Sequence, residues 1–176
     1  MAGYIGNYPT AVPLTGADLT DGIITSAKIA DGTIASVDLA SGVGGKVLQV
    51  VTATDSTSRS TTSTSFVTGS NTLSVSITPA STSNKIFVSA CSSIEGSGGN
   101  WSFYYTIYRD STNIGSTDGI QRLYTSLYVP MAMSILDSPN TTSAITYQVY
   151  MRSNGGTAIL NSGSLKGTIT AFEIGA

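Results

Sequence analysis

Two different periods run along this chain. From about residue 46 onward apolar and polar residues alternate, as where Leu73, Val75 and Ile77 are set against Ser74, Ser76 and Thr78. A period of two sends successive side chains to opposite faces and predicts half-buried strands. Strands are expected over 46–54, 63–68, 71–78, 85–93, 101–109, 120–128, 131–136, 144–152, 157–160 and 166–174. Turn signals separate them: "PASTSN" at 79–84, the glycine-rich "EGSGGN" at 95–100, "RDSTNIGSTDG" at 109–119, "DSPNTTS" at 137–143 and the hairpin signal Asn154-Gly155-Gly156. Pro130 suits an edge, a bulge or a corner. No helix-period segment separates the strands, which argues against a parallel α/β sheet. The pattern predicts an all-β domain over 46–176, a jelly-roll-like antiparallel β-sandwich.

The first 45 residues follow another rule. Leu14, Leu19, Ile24, Ile29, Ile34 and Leu39 stand five residues apart, which is neither the helical period nor the strand period. A helix is disfavoured, because Gly22, Gly32 and Gly42 would each cost it ~1 kcal/mol. Written in fives, the segment reads ADLTD, GIITS, AKIAD, GTIAS, VDLAS, with a small residue two places before most centres (Ala17, Gly22, Ala27, Gly32, then Val37). This resembles the pentapeptide-repeat pattern, in which each five residues form one side of a square coil. Five units make little more than one coil and cannot bury their own apolar stripe. The same residues also pair into decads, with Asp-Gly at 21–22 and 31–32 and Ser-Gly at 41–42. On that reading "TSAKIA" and "ASVDLA" are each one helical turn, N-capped by Ser26 or Ser36. On either reading the stripe needs a surface supplied by other chains. Residues 1–45 are therefore expected to be an extended attachment and oligomerisation arm, ending in the hinge or tight turn "SGVGGK".

Composition supports strands and narrows the partners. Charged residues are 10% of the chain, against roughly 25% in an average domain, and 27 serines and 25 threonines take their place. The net charge is −2, and the four lysines and four arginines form no basic run, so no nucleic-acid partner is expected. No apolar run is long enough to cross a bilayer, so no membrane insertion is expected. "MAGYIGNYPT" lacks the basic and apolar regions of a signal peptide, which points to a cytoplasmic chain or one that leaves by another route.

Chemistry is sparse. There is no histidine, which removes His-based acid–base catalysis, Ser-His-Asp triads and His metal sites. "GVGGKV" fails as a phosphate loop, with Ala40 and Val47 where Gly and Ser/Thr are required. Asp110, Asn113 and Asp118 share a loop and could form at most a weak Ca²⁺ site; a solvated polar tip is the simpler reading. No enzyme activity, catalytic residue, metal or cofactor is expected. Cys91, the sole cysteine, is expected to be buried and inert in its strand. In "WSFYYTIYRD", Trp101, Phe103, Tyr105 and Ile107 share one face and are expected in the core. Tyr104 and Tyr108 share the other, a candidate surface for sugar stacking or protein contact; the alternative is a subunit interface or a second core layer.

"GYIGNYPTAVPL" followed by "DGIITSAKIADGTI" resembles the N-terminal part of tail-fibre, head-fibre and other virion structural proteins of bacteriophages, aquatic ones especially. "GKVLQVVTATDST", "SITPASTSNKIFV" and "ILDSPNTTSAITYQVYMRS" resemble the β domain that follows in such proteins. The resemblance implies a non-enzymatic, homotrimeric protein of the virion surface, assembled in the host cytoplasm. Its partners would be itself and other capsid or tail proteins. The alternative is an adhesin or tail fibre that binds host-surface glycan.

Overall fold

The computed structural model describes Ile24, Thr25, Ala27, Ile29, Ala30, Thr33, Ile34 and Asp38 of the arm, and residues 46–176 except Thr125. Leu14, Leu19, Leu39, the caps Ser26 and Ser36 and the glycine join at 41–45 lie outside the described residues. The chain divides into two units after Gly44.

In the second unit, alternating residues form eleven strands: β1 (Val47–Asp55), β2 (Arg59–Thr61), β3 (Ser74–Ile77), β4 (Lys85–Ser97), β5 (Ser102–Arg109), β6 (Thr112–Asn113), β7 (Gln121–Tyr124), β8 (Tyr128–Asp137), β9 (Ile145–Ser153), β10 (Thr157–Leu160) and β11 (Gly167–Ile174). Every pairing between them is antiparallel. With the short β2, β6 and β10 set aside, one sheet runs β1-β11-β4-β8 and the other β3-β9-β5-β7. Each sheet interleaves strands from both ends of the unit, the double Greek key of a jelly roll. The all-β sandwich predicted from the alternation is therefore the fold observed.

β4 is the spine of the first sheet. Its 13 residues pair with β11 and then β10 along one edge, and with β8 along the other. Ile86, Val88, Ala90 and Ile94 point inward from it and are fully buried. They meet Phe103, Tyr105 and Ile107 of β5 and Tyr147, Val149 and Met151 of β9 in one core. Each fully buried aliphatic or aromatic side chain contributes roughly 1.5–3 kcal/mol. Tyr105 brings a polar atom into this core, and its hydroxyl donates to the Ile159 carbonyl at 2.9 Å. Burial pushes the Tyr105 phenol well above its ordinary pKa.

Three expectations from the pattern are corrected. The segment 95–100 was expected to be a glycine-rich loop, yet β4 runs through Glu95, Gly96 and Ser97. Gly96 serves close approach rather than a turn, because a Cβ there would overlap the Phe103 ring. Gly96→Ala is accordingly expected to lower stability by about 1–3 kcal/mol through overpacking, read as a lower urea midpoint at unchanged slope. The segment 63–68 was expected to be a strand, but only Val67 bridges, to Met151. Its hydroxyls bond locally instead: Ser63 N–H donates to Thr61 Oγ1 at 3.1 Å and Ser65 N–H to Ser63 Oγ at 3.2 Å. The strand expected over 120–128 ends at Tyr124, and β8 starts at Tyr128 and continues through Pro130. β8 is an edge strand, where a missing N–H is tolerated. The Gln121 side chain stands in for a neighbouring strand there, donating to the Pro130 carbonyl at 3.4 Å and accepting from the Ala132 N–H at 3.1 Å.

A buried carboxylate ties β1 to the loop ahead of β3. Asp55 accepts from the N–H of Thr57 at 2.8 Å and of Thr72 at 2.9 Å. Burial pushes its carboxyl up, but these backbone N–H groups and nearby Arg59 outweigh that and hold it below its ordinary pKa. A depressed carboxylate stabilises the fold above its unfolded pKa and loses that contribution as pH falls through the folded one. Stability is therefore expected to decline below about pH 4, with a shallower decline in Asp55→Asn, in pH-dependent thermal melts.

Candidate interaction surfaces

The two outer faces of the sandwich differ in chemistry. On the second sheet, register places Arg122 of β7 and Arg152 of β9 directly opposite Tyr104 of β5, one on each side. The Arg152 guanidinium lies 3.9 Å from the centroid of the Tyr104 ring and 5.1 Å from that of Phe66. Arg122 lies 5.8 Å from the Tyr104 centroid and 5.7 Å from that of Tyr124. Such stacks add attraction between cation and ring face. Tyr104 is left 8% exposed. It is part of a second packed layer, and this corrects its candidacy as an exposed contact. Tyr108 is half-buried, stacked on Tyr150 with centroids 3.9 Å apart and rings 19° from parallel.

Other aromatics are the exposed ones. Trp101 was expected in the core by phase with Phe103 and Tyr105, but β5 starts at Ser102. Trp101 instead lies over the Gly155-Gly156 turn, where a Cβ on Gly155 would enter its ring. Its Nε1–H donates to the Gly98 carbonyl at 3.0 Å. Trp101, Tyr124 and Tyr128 remain exposed. Their position at strand ends carried no alternation signal.

The outer face of the first sheet is uncharged along three successive rows. The first row crosses all four strands as Val50, Phe172, Phe87 and Leu136. Val50, Phe87 and Leu136 are exposed, and the Phe87 and Phe172 rings stand 6.1 Å apart. The next is hydroxylic, Thr52, Thr170, Ser89 and Ser134; the third is Thr54, Thr168, Cys91 and Ala132. Cys91 is exposed, which corrects the buried reading. Its phase, odd-numbered like Phe87 and Ser89 while Ile86, Val88 and Ala90 face inward, carried that signal. The third row forms one side of an open groove of about 610 Å³, lined by Cys91, Tyr128, Pro130, Ala132 and Leu165 among others.

The acidic loop is spent on structure. Asp110 accepts from the Thr146 N–H at 2.9 Å, Asn113 from the Gly115 N–H at 3.0 Å, and Asp118 from Arg152 at 2.8 Å. Among the described residues no cluster of three His, Cys, Asp or Glu could hold a metal.

In the arm, Ile24, Ile29 and Ile34 are 52%, 38% and 51% exposed. Ala27 and Asp38 each have 3-10 backbone geometry. Thr33 donates from both its N–H, at 3.1 Å, and its hydroxyl, at 2.7 Å, to the Ala30 carbonyl.

No family model and no curated protein matches the chain. Among solved structures it is similar to a chain of the T13 IBDV viral particle, at 17% identity and a TM-score of 0.42. The match covers 73% of this chain and spans 36% of that one.

Proposed function

We propose that this chain is a structural protein of a phage particle, attached through its N-terminal arm and displaying the jelly roll on the virion surface as a capsid decoration or fibre. A fold hosts many functions, so the jelly roll alone does not carry this reading. The observation that carries it is the arm: isoleucines repeat every five residues and stand exposed at Ile24, Ile29 and Ile34. Each is worth ~1.5–3 kcal/mol if covered, and evenly spaced apolar residues are covered most simply by a regular partner. Three arms about an axis, or one arm in a groove of the particle, supply such a partner, and cyclic symmetry lets every copy use the same surface. The resemblance to phage fibre and head proteins, which spans nearly the whole chain, supports a homotrimer and a role without catalysis. Quantitative mass spectrometry of gradient-purified particles tests this. A fixed copy number per particle is expected; a chain found only in the soluble lysate would count against it.

A second reading is a glycan-binding adhesin. It draws support from exposed aromatics, though not from Tyr104. Trp101 and Tyr124 are two of these exposed rings, and Tyr124 pairs with Ser102, the residue after Trp101. An adhesin gives glycan-array signal that Trp101→Ala and Tyr124→Ala abolish; a purely structural chain gives none.

A further inference from the structure

We propose that the outer face of the first sheet is a contact surface between copies of this chain, with the Val50–Phe172–Phe87–Leu136 row of one copy seated in the Cys91–Tyr128–Leu165 groove of the next. The inference rests on the homotrimer reading above and adds to it a second, arm-independent contact. Three features point to a copy as the occupant. The first is complementarity within one face. An apolar row crosses β4 at Phe87 and an apolar groove meets it at Cys91–Ser93, near its middle, so each copy carries both halves of the contact. A head-to-tail contact of that kind closes into a ring when the rotation permits. The second is charge. The three rows hold no ionisable side chain apart from the Cys91 thiol; Lys85 stands at the row end, and Glu95 and Lys166 at the groove end. A second copy therefore meets no like-charge penalty across the rows, and nothing there selects a partner of opposite charge. The third is area. Four strands spaced about 4.8 Å apart, over the ten residues of β8 at about 3.3 Å each, give a flat projection of roughly 600 Å². With side-chain relief added, that matches one partner's share of a standard interface, about 800 Å².

Cys91 makes the proposal directly readable, because it is the only thiol and lines the groove. The full chain would be treated with a maleimide while its assembly state is followed by sedimentation. In the assembled wild type, labelling is expected to be about tenfold slower than in the dissociated chain, since access limits thiol reactivity. The double variant Phe87→Glu, Leu136→Glu is expected to lose assembly and label at the dissociated rate. Both positions are exposed, and an unchanged far-ultraviolet circular dichroism spectrum verifies that the fold is kept. If Cys91 in the assembled wild type labels as fast as in the dissociated chain, this face is not the contact. The arm variant Ile24→Asp, Ile29→Asp separates the two readings. Assembly lost only in the arm variant overturns the face and keeps the arm. Assembly lost only in the face variant does the reverse, and loss in both supports both contacts. A monomeric wild type overturns both.

Discussion

Replacing Ile24 and Ile29 together with aspartate is expected to abolish assembly or attachment while leaving the jelly roll folded. Both residues are exposed in the chain, so neither substitution opens a cavity. The effect falls on whatever covers them. Two covered isoleucines are worth roughly 3–6 kcal/mol, and burying an aspartate in the same place without a partner adds a further penalty. A total above 4 kcal/mol is roughly a thousandfold or more in an association constant, enough to empty the particle of this protein. Sedimentation velocity and particle copy number read the loss, and circular dichroism shows whether the strands remain. Normal incorporation of the double variant would mean that the five-residue stripe is not the attachment surface.

Asp137→Ala is expected to be the most damaging single change to the sandwich outside the apolar core, lowering stability by about 3 kcal/mol. Asp137 ends β8 and reaches across to the second sheet. Arg109 Nη1 donates to its two carboxylate oxygens at 2.9 and 2.8 Å, and the Tyr147 hydroxyl donates to Oδ2 at 2.7 Å. Tyr147 is wholly buried, so removing its acceptor strands a hydroxyl inside the protein. Burial and the bond to Asp137 both push the Tyr147 phenol far above its ordinary range. A phenol raised in the fold stabilises it below the unfolded pKa and loses that contribution as pH climbs past it. In wild type, stability is therefore expected to fall above about pH 10. Urea denaturation of Asp137→Ala measures the first effect. A loss under 1 kcal/mol would show that solvent replaces the carboxylate without cost.

How much of this was legible in the sequence depends on the range of the interaction. The alternation in Leu73–Thr78 is local, and it gave a half-buried strand; the phase of Ile86, Val88 and Ala90 is just as local, yet the expectation of a buried Cys91 overlooks it, since Cys91 lies on the opposite face. Asn154-Gly155-Gly156 is equally local, and it turns the chain between β9 and β10. The Arg122–Tyr104–Arg152 row is not local. It exists because β7 and β9 flank β5 in a particular register, and that register follows from the double Greek key rather than from any short stretch. The same holds for Asp137, Arg109 and Tyr147, which sit on three strands. Period alone puts Tyr104 outward, which is correct for its direction; the guanidiniums above it are what bury it. Loop chemistry failed where serines and threonines could serve either state, and at 63–68 local hydroxyl bonds displaced the expected ladder.

On the proposed reading the arm holds the chain on a particle and the jelly roll faces outward. Gold-labelled antibodies against residues 46–176 and, separately, against residues 1–45 would be applied to intact particles in which the chain is found. Dense labelling by the first and none by the second until the particles are disrupted is the expected result. Labelling by the arm antibody alone, or by neither on intact or disrupted particles, would contradict it.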